Sequence, residues 1–250
     1  MEHNVYVRMA EIQDRHWWYE ARRHILAHLI AQLDLPEAAQ ILEAGCGPGA
    51  NLAMLAEFGN VQAFEPDHFA LEYCHQHSGI RPDHIRQGFL PEPIPFDTTY
   101  DLVCAFDVIE HIDDDAASIK ALYNMTKAGG YALFTVPAFM SLWSQHDVIN
   151  HHKRRYLKQD FERLLKKSGY KVEMISYYNT ILFPLVALIR QLKKKFNIKD
   201  RPDESLPRFA FINKVLTLIF SAERHFLGKF YPSFGVSIIA ICSKPDQGGQ

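Results

Sequence analysis

The run Ile41-Leu42-Glu43-Ala44-Gly45-Cys46-Gly47-Pro48-Gly49, followed by Val61-Gln62-Ala63-Phe64-Glu65-Pro66-Asp67, most constrains what this chain can fold into. Apolar residues give way to three glycines, a second apolar stretch follows, and it stops on an acid. That order reads as strand, glycine turn, helix and second strand. Glu65 lies twenty residues after Gly45, about the separation at which a βαβ unit brings a carboxylate to a ribose diol. Glycines at 45, 47 and 49 let the backbone turn sharply and let a ligand approach where a Cβ would intrude. A dinucleotide fold carries G-x-G-x-x-G, whereas the spacing here is G-x-G-x-G. Glu43 adds a negative charge before the first glycine, which would repel a pyrophosphate and attract an amino group or a sulfonium.

Glu43-Ala44-Gly45-Cys46-Gly47-Pro48-Gly49 resembles the first motif of the class I S-adenosylmethionine-dependent methyltransferases of the small-molecule and lipid type. Residues 100–112, from Tyr100-Asp101-Leu102 to Ile109-Glu110-His111-Ile112, resemble that family's fourth strand and the loop after it. Lys127-Ala128-Gly129-Gly130-Tyr131 and the apolar run to Pro137 are similar to its turn into the fifth strand. The resemblance covers roughly residues 38–180 and the last strand. It implies S-adenosyl-L-methionine as cofactor, S-adenosyl-L-homocysteine as product, and methyl transfer to O, N or C of a small-molecule or lipid-linked acceptor. Two other classes stand beside it. One is a non-catalytic S-adenosylmethionine-binding or membrane-associated regulatory protein. The other is an NAD(P)-dependent oxidoreductase, which the glycine spacing and Glu43 fit poorly.

Apolar runs at 40–45, 60–65, 83–87, 100–106, 131–136, 171–178 and 236–243 predict strands, and helical patterns fill the gaps. The fold class expected is α/β: a Rossmann-like, seven-stranded, mostly parallel sheet with helices on both faces. A single domain with appendages accommodates 250 residues. Residues 1–37 form an N-terminal helical cap, 38–180 the core, 181–235 a helical insertion before the last strand, 236–244 that strand, and 245–250 a disordered tail. The cap rests on one helical stripe over 14–33, with Trp18, Ile25, Leu29 and Leu33 on one face. Asp113-Asp114-Asp115 opens a helix that Gly129-Gly130 closes. The insertion joins an apolar run, 181–189, to Lys193-Lys194-Lys195, a polar loop at 197–207 and a second apolar helix from Phe209 to Phe220. It reads as a substrate lid, a membrane-surface element or a dimer contact.

By resemblance, Glu43 lies near the methionine amino group, Gly45, Cys46, Gly47 and Gly49 shape the floor, and Glu65 with Pro66 holds the ribose. Asp107 and Val108 reach the methionine moiety. Where many relatives carry an Asp near the adenine, this chain has Gln87-Gly88-Phe89, so Phe89 is expected to stack on the base, with Gln87 or a backbone group supplying polarity. Trp18 and Arg22 close the cofactor from the N-terminal helix. The acceptor side is the loop 138–156, with His146 or His151 as general base and His111 as a third candidate; His152 reads rather as solvated.

A net charge of −2 gives no field for nucleic acid, so no nucleic-acid partner is expected. Thirteen histidines show no metal-ligand spacing, and no metal is expected. Four scattered cysteines and a polar N-terminus without a signal peptide suggest a reducing cytoplasm. The apolar and basic insertion adds peripheral contact at the inner face of a membrane, or a homodimer, to the expected partners.

Overall fold

The computed structural model describes residues 3–196 and 209–246. Two helices, α1 (His3–Ile12) and α2 (Trp17–Ile30), lead into β1 (Ala39–Ala44), α3 (Leu52–Leu55), β2 (Gly59–Glu65), α4 (His68–His77) and β3 (Ile85–Gln87). There follow β4 (Tyr100–Phe106), α5 (Asp115–Met125), β5 (Thr126–Pro137), α6 (Gln145–Ile149), α7 (Lys158–Lys167) and β6 (Lys171–Tyr178). Helices α8 (Phe183–Lys195) and α9 (Ala210–Ser221) precede β7 (Ser237–Ser243). The sheet order is β3-β2-β1-β4-β5-β7-β6, parallel from β1 to β5, with β7 antiparallel to both its neighbours. The expected seven-stranded, mostly parallel sheet is therefore present.

The strands read as unbroken apolar runs because both faces are covered. Ile41, Leu102, Cys104 and Leu133 join one core with α2 and α3, while Leu42, Val103, Ala105 and Phe134 join the other with α5 and α7. The chain leaves β1 for β2 on one side and has β4 on the other. That reversal opens a crevice at the strands' carboxyl ends.

Three local expectations need correction. The helix expected over 14–33 is α2, but it runs only from Trp17 to Ile30, so Leu33 falls beyond it, and a further helix, α1, precedes it. The first helix packs against α4, where the Tyr73 hydroxyl donates to the carbonyl of Ala10 at 3.1 Å. The helix opened by the aspartates ends at Met125, and Gly129-Gly130 lies within β5. Lys244, just past β7, accepts from the Gly129 N–H and donates to the Gly130 carbonyl, which draws the glycines into the sheet. Strand β3 starts only at Ile85, because Pro82 opens a short 3-10 turn ahead of it. The expected N-cap stands: the Asp114 carboxylate accepts from the Ala117 N–H at 2.8 Å. The loop 197–207 lies outside the described residues, as does most of the expected tail.

The insertion divides between two tasks. Its second helix packs on α2: Phe220 is fully buried against Trp17 and Tyr178, and Asn213 accepts from the Trp17 N–H and donates to the Arg15 carbonyl. Its first helix exposes Leu185, Leu188 and Leu192. No helix among the described residues is long and apolar enough to cross a membrane.

Candidate active site

Between β1 and α3 the chain turns through Gly45, Gly47 and Gly49, each with a positive φ. At Gly45 a Cβ would lie 2.8 Å from a Val108 methyl, so the loop packs on the segment after β4. A Cβ at Gly47 would meet only Met9, at 3.7 Å. The N–H of Gly47 donates to Glu65 Oε2 at 2.8 Å, while Glu65 Oε1 accepts from the Tyr6 hydroxyl at 3.0 Å and the Asp67 N–H at 3.1 Å. The end of β2 is thereby tied to the glycine loop and to α1.

Glu43 is buried beneath this loop, with Asn51 donating to Oε1 at 2.7 Å. Burial pushes its carboxyl up to about 7, against the hydrogen bond from Asn51 and the charge of Arg22. The folded value exceeds the ordinary carboxylate value, so the contribution of Glu43 to stability is most favourable below about pH 4 and declines as pH rises toward 7. Glu43→Gln should flatten that decline and raise stability at pH 7 by about 2–3 kcal/mol. Urea titrations from pH 4 to 8 check this, and parallel curves for the two proteins would refute it.

Arg22, buried on α2, pairs with Asp107 and lies 4.5 Å over the Trp18 ring. A guanidinium held between a carboxylate and an indole is fixed in position. These groups border a cavity of about 670 Å³, ample for a nucleoside-bearing ligand and a second molecule.

The far wall comes from the loop after β5. Asp147, fully buried on α6, accepts from Arg155 Nε at 2.7 Å and Nη2 at 3.1 Å, from His152 Nδ1 at 2.9 Å and from the Ser144 N–H at 2.8 Å. Burial alone would raise its pKa, but the bonds from His152 and Arg155 and the Arg155 charge hold it below the usual carboxylate range. Arg154 and the Tyr156 hydroxyl both reach Asp115. The loop is thus anchored by three consecutive side chains on two acids. Glu110 is completely buried, and burial followed by the Asp107 charge raises its carboxyl. Burial pushes His111 down to about 3, and the charge of His152 adds to it.

Among the residues expected at the site, Trp18, Arg22, Gly45, Cys46, Gly47 and Glu65 line the cavity. So do Pro66, Phe89, Asp107, Val108, His111 and His146. Glu43 and Gly49 lie behind the lining. Gln87, exposed, donates to the Pro66 carbonyl, and it and Gly88 stand outside the cavity, because β3 ends on the sheet's outer edge. His151 is corrected: it is exposed, with φ of 55°, and does not border the cavity. Its neighbour His152, read as solvated, faces inward because Asp147 holds its other ring nitrogen. Tyr6, Asn51 and Arg190 line the cavity without having been expected there, and no local pattern marks them; Glu110, which stands beside the expected His111, lines it as well.

Residues 17–175 match the model of a family described as a methyltransferase domain. A Mycolicibacterium smegmatis protein named as a probable S-adenosylmethionine-dependent methyltransferase is 29% identical over 170 residues, 65% of this chain and 62% of that one. A ubiquinone biosynthesis O-methyltransferase of Erwinia tasmaniensis is 26% identical over 132 residues, 48% of this chain and 54% of its own. The chain therefore spans less than two thirds of the length of these curated relatives. An S-adenosylmethionine-dependent methyltransferase from Clostridium acetobutylicum shares the fold with a TM-score of 0.60 at 14% identity, covering 91% of this chain and 92% of that one. The [4+2]-cyclase SpnF shares it with a TM-score of 0.57 at 15% identity, over 89% and 81%. The shared architecture establishes the fold, and the chemistry must be argued from the site.

Proposed function

The chain belongs to the methyltransferase-domain family, and from that premise we propose that it is an S-adenosylmethionine-dependent methyltransferase acting on a small-molecule or lipid-linked acceptor. The observation that carries this reading is the pairing of Glu65 with the glycine loop at the crevice of the sheet. An acid at the end of β2 presents two acceptor oxygens to a ribose diol, and the glycines leave the floor free of side chains. The residues present fit the donor: its amino group and sulfonium favour a site bordered by Glu65 and Asp107, with Glu43 behind it.

When bound, the donor supplies a methyl carbon activated by its sulfonium. The chain's own tasks are alignment, exclusion of water and, for an acceptor that must lose one, removal of a proton. Alignment is the largest share, because well-oriented reactants gain about 7–11 kcal/mol, whereas a general base adds about 10²–10⁴-fold. Trp18 and Arg22 close the donor side. His146, which lines the cavity, is the proposed base, in place of the exposed His151.

The acceptor side supports an apolar substrate. Val186, Ile189 and Arg190 of α8 line the cavity, and the same helix carries the exposed Leu185, Leu188 and Leu192. A lipid-linked acceptor could pass from a membrane surface along this helix, with Lys193 and Lys195 at its end meeting anionic head groups. Purified protein given labelled methyl donor and the separated aqueous and lipid fractions of a cell extract should label the lipid fraction. Label confined to the aqueous fraction would remove the lipid reading, and none in either would count against a methyltransferase.

A further inference from the structure

Glu110, His111 and His152 come together from two loops far apart in the chain, and one ligand atom from each lies within 4.8 Å of the others. Neither oxygen of the Glu110 carboxylate has a hydrogen-bond partner among the described residues, although the side chain is completely buried. An unmatched buried carboxylate costs stability unless something else meets it. His152 Nε2 lies 4.0 Å from Glu110 Oε1, and the His111 ring stands perpendicular to the His152 ring with centroids 4.6 Å apart. The second nitrogen of His152 is taken by Asp147, at 2.9 Å. A histidine steadied through one nitrogen by a carboxylate presents the other as a fixed donor, the arrangement that supports metal-binding imidazoles. All three side chains border the cavity.

We propose that Glu110, His111 and His152 form a binding site for a divalent transition-metal cation, with Zn²⁺ the best match. Two imidazoles and one carboxylate suit zinc or another first-row transition ion better than magnesium, which prefers an all-oxygen shell. Zinc ligands lie about 2.0–2.2 Å from the ion, so the three groups need only small inward rotations to close around it. Three protein ligands leave a coordination position directed into the cavity. On the reading of the chain as a methyltransferase, that position would take an acceptor oxygen and lower its pKa. The binding site itself needs no methyl donor. Sequence spacing concealed it, because Glu110-His111 and His152 lack any short-range ligand pattern.

Calorimetry of the metal-stripped full chain with Zn²⁺ alone tests the site apart from the methyltransferase reading. One equivalent should bind, and Glu110→Gln and His152→Ala should each weaken binding at least tenfold, while His151→Ala, an exposed neighbour, leaves it unchanged. Binding that survives both ligand substitutions, equal affinity for Mg²⁺, or no binding would overturn the proposal. If either variant fails to fold, X-ray absorption fine structure of the zinc-loaded wild type decides. Two histidines, a carboxylate and no sulfur are expected, and sulfur or a lone histidine at the ion would overturn it.

Discussion

Asp147→Ala is expected to destabilise the folded chain by about 3–5 kcal/mol, the cost of removing one partner from a buried, hydrogen-bonded ion pair. Arg155 would keep its Ala138 carbonyl bond but lose both contacts to Asp147, leaving a buried guanidinium without a counter-charge. His152 and the Ser144 N–H would also lose their acceptor. The Asp147 carboxyl is held below its ordinary value, so its contribution is present above the unfolded pKa near 4 and is lost as pH falls through the folded one. The gap between wild type and variant should therefore be widest near neutral pH and shrink on acidification below about pH 4. Asp113→Ala, which removes an exposed partner of Lys153, should cost less than about 1 kcal/mol. Urea denaturation of the three proteins separates these outcomes. A loss at Asp147 no larger than that at Asp113 would show that the pair does not hold the loop after β5.

Glu65→Ala should weaken S-adenosylmethionine binding by about 1.5–3 kcal/mol, roughly ten- to a hundredfold, through loss of charge-assisted hydrogen bonds to the ribose. The substitution also strands the N–H of Gly47, so circular dichroism must first show a folded variant. Gly47→Val should reduce binding further. Among the described residues its Cβ would meet only Met9, at 3.7 Å, so the side chain would enter the space proposed for the donor; a branched residue at φ 55° also strains the loop, and the same circular dichroism control applies. Gly45→Ala should act through the fold, because its Cβ meets a Val108 methyl and φ is positive. Unchanged donor affinity in Glu65→Ala would remove that residue from the site.

The glycine loop and Glu65, the half of the cavity proposed for the donor, were legible as a unit because they are local. Gly45, Gly47 and Glu65 belong to one βαβ unit, whose spacing is set by strand and helix lengths. The strands were legible for a related reason: burial on both faces leaves uninterrupted apolar runs such as Leu102-Val103-Cys104-Ala105. The opposite wall, proposed for the acceptor, is assembled at long range. Which of His146, His151 and His152 turns inward depends on a left-handed residue at 151 and on the bond between His152 and Asp147. Neither follows from the order of residues. Tyr6 reaches Glu65 only because α1 packs on α4, and that short helix leaves too weak a pattern to be read. Gln87 was misplaced because its residue type suggested a contact that the outer position of β3 denies.

The most direct test of the chain as a donor-binding methyltransferase is a thermal-unfolding comparison with S-adenosylhomocysteine and NADH. At a hundred times its Kd, S-adenosylhomocysteine should stabilise the protein by about 2.7 kcal/mol, and NADH at the same concentration should leave it unchanged. Stabilisation by NADH, or none by S-adenosylhomocysteine, would contradict the account.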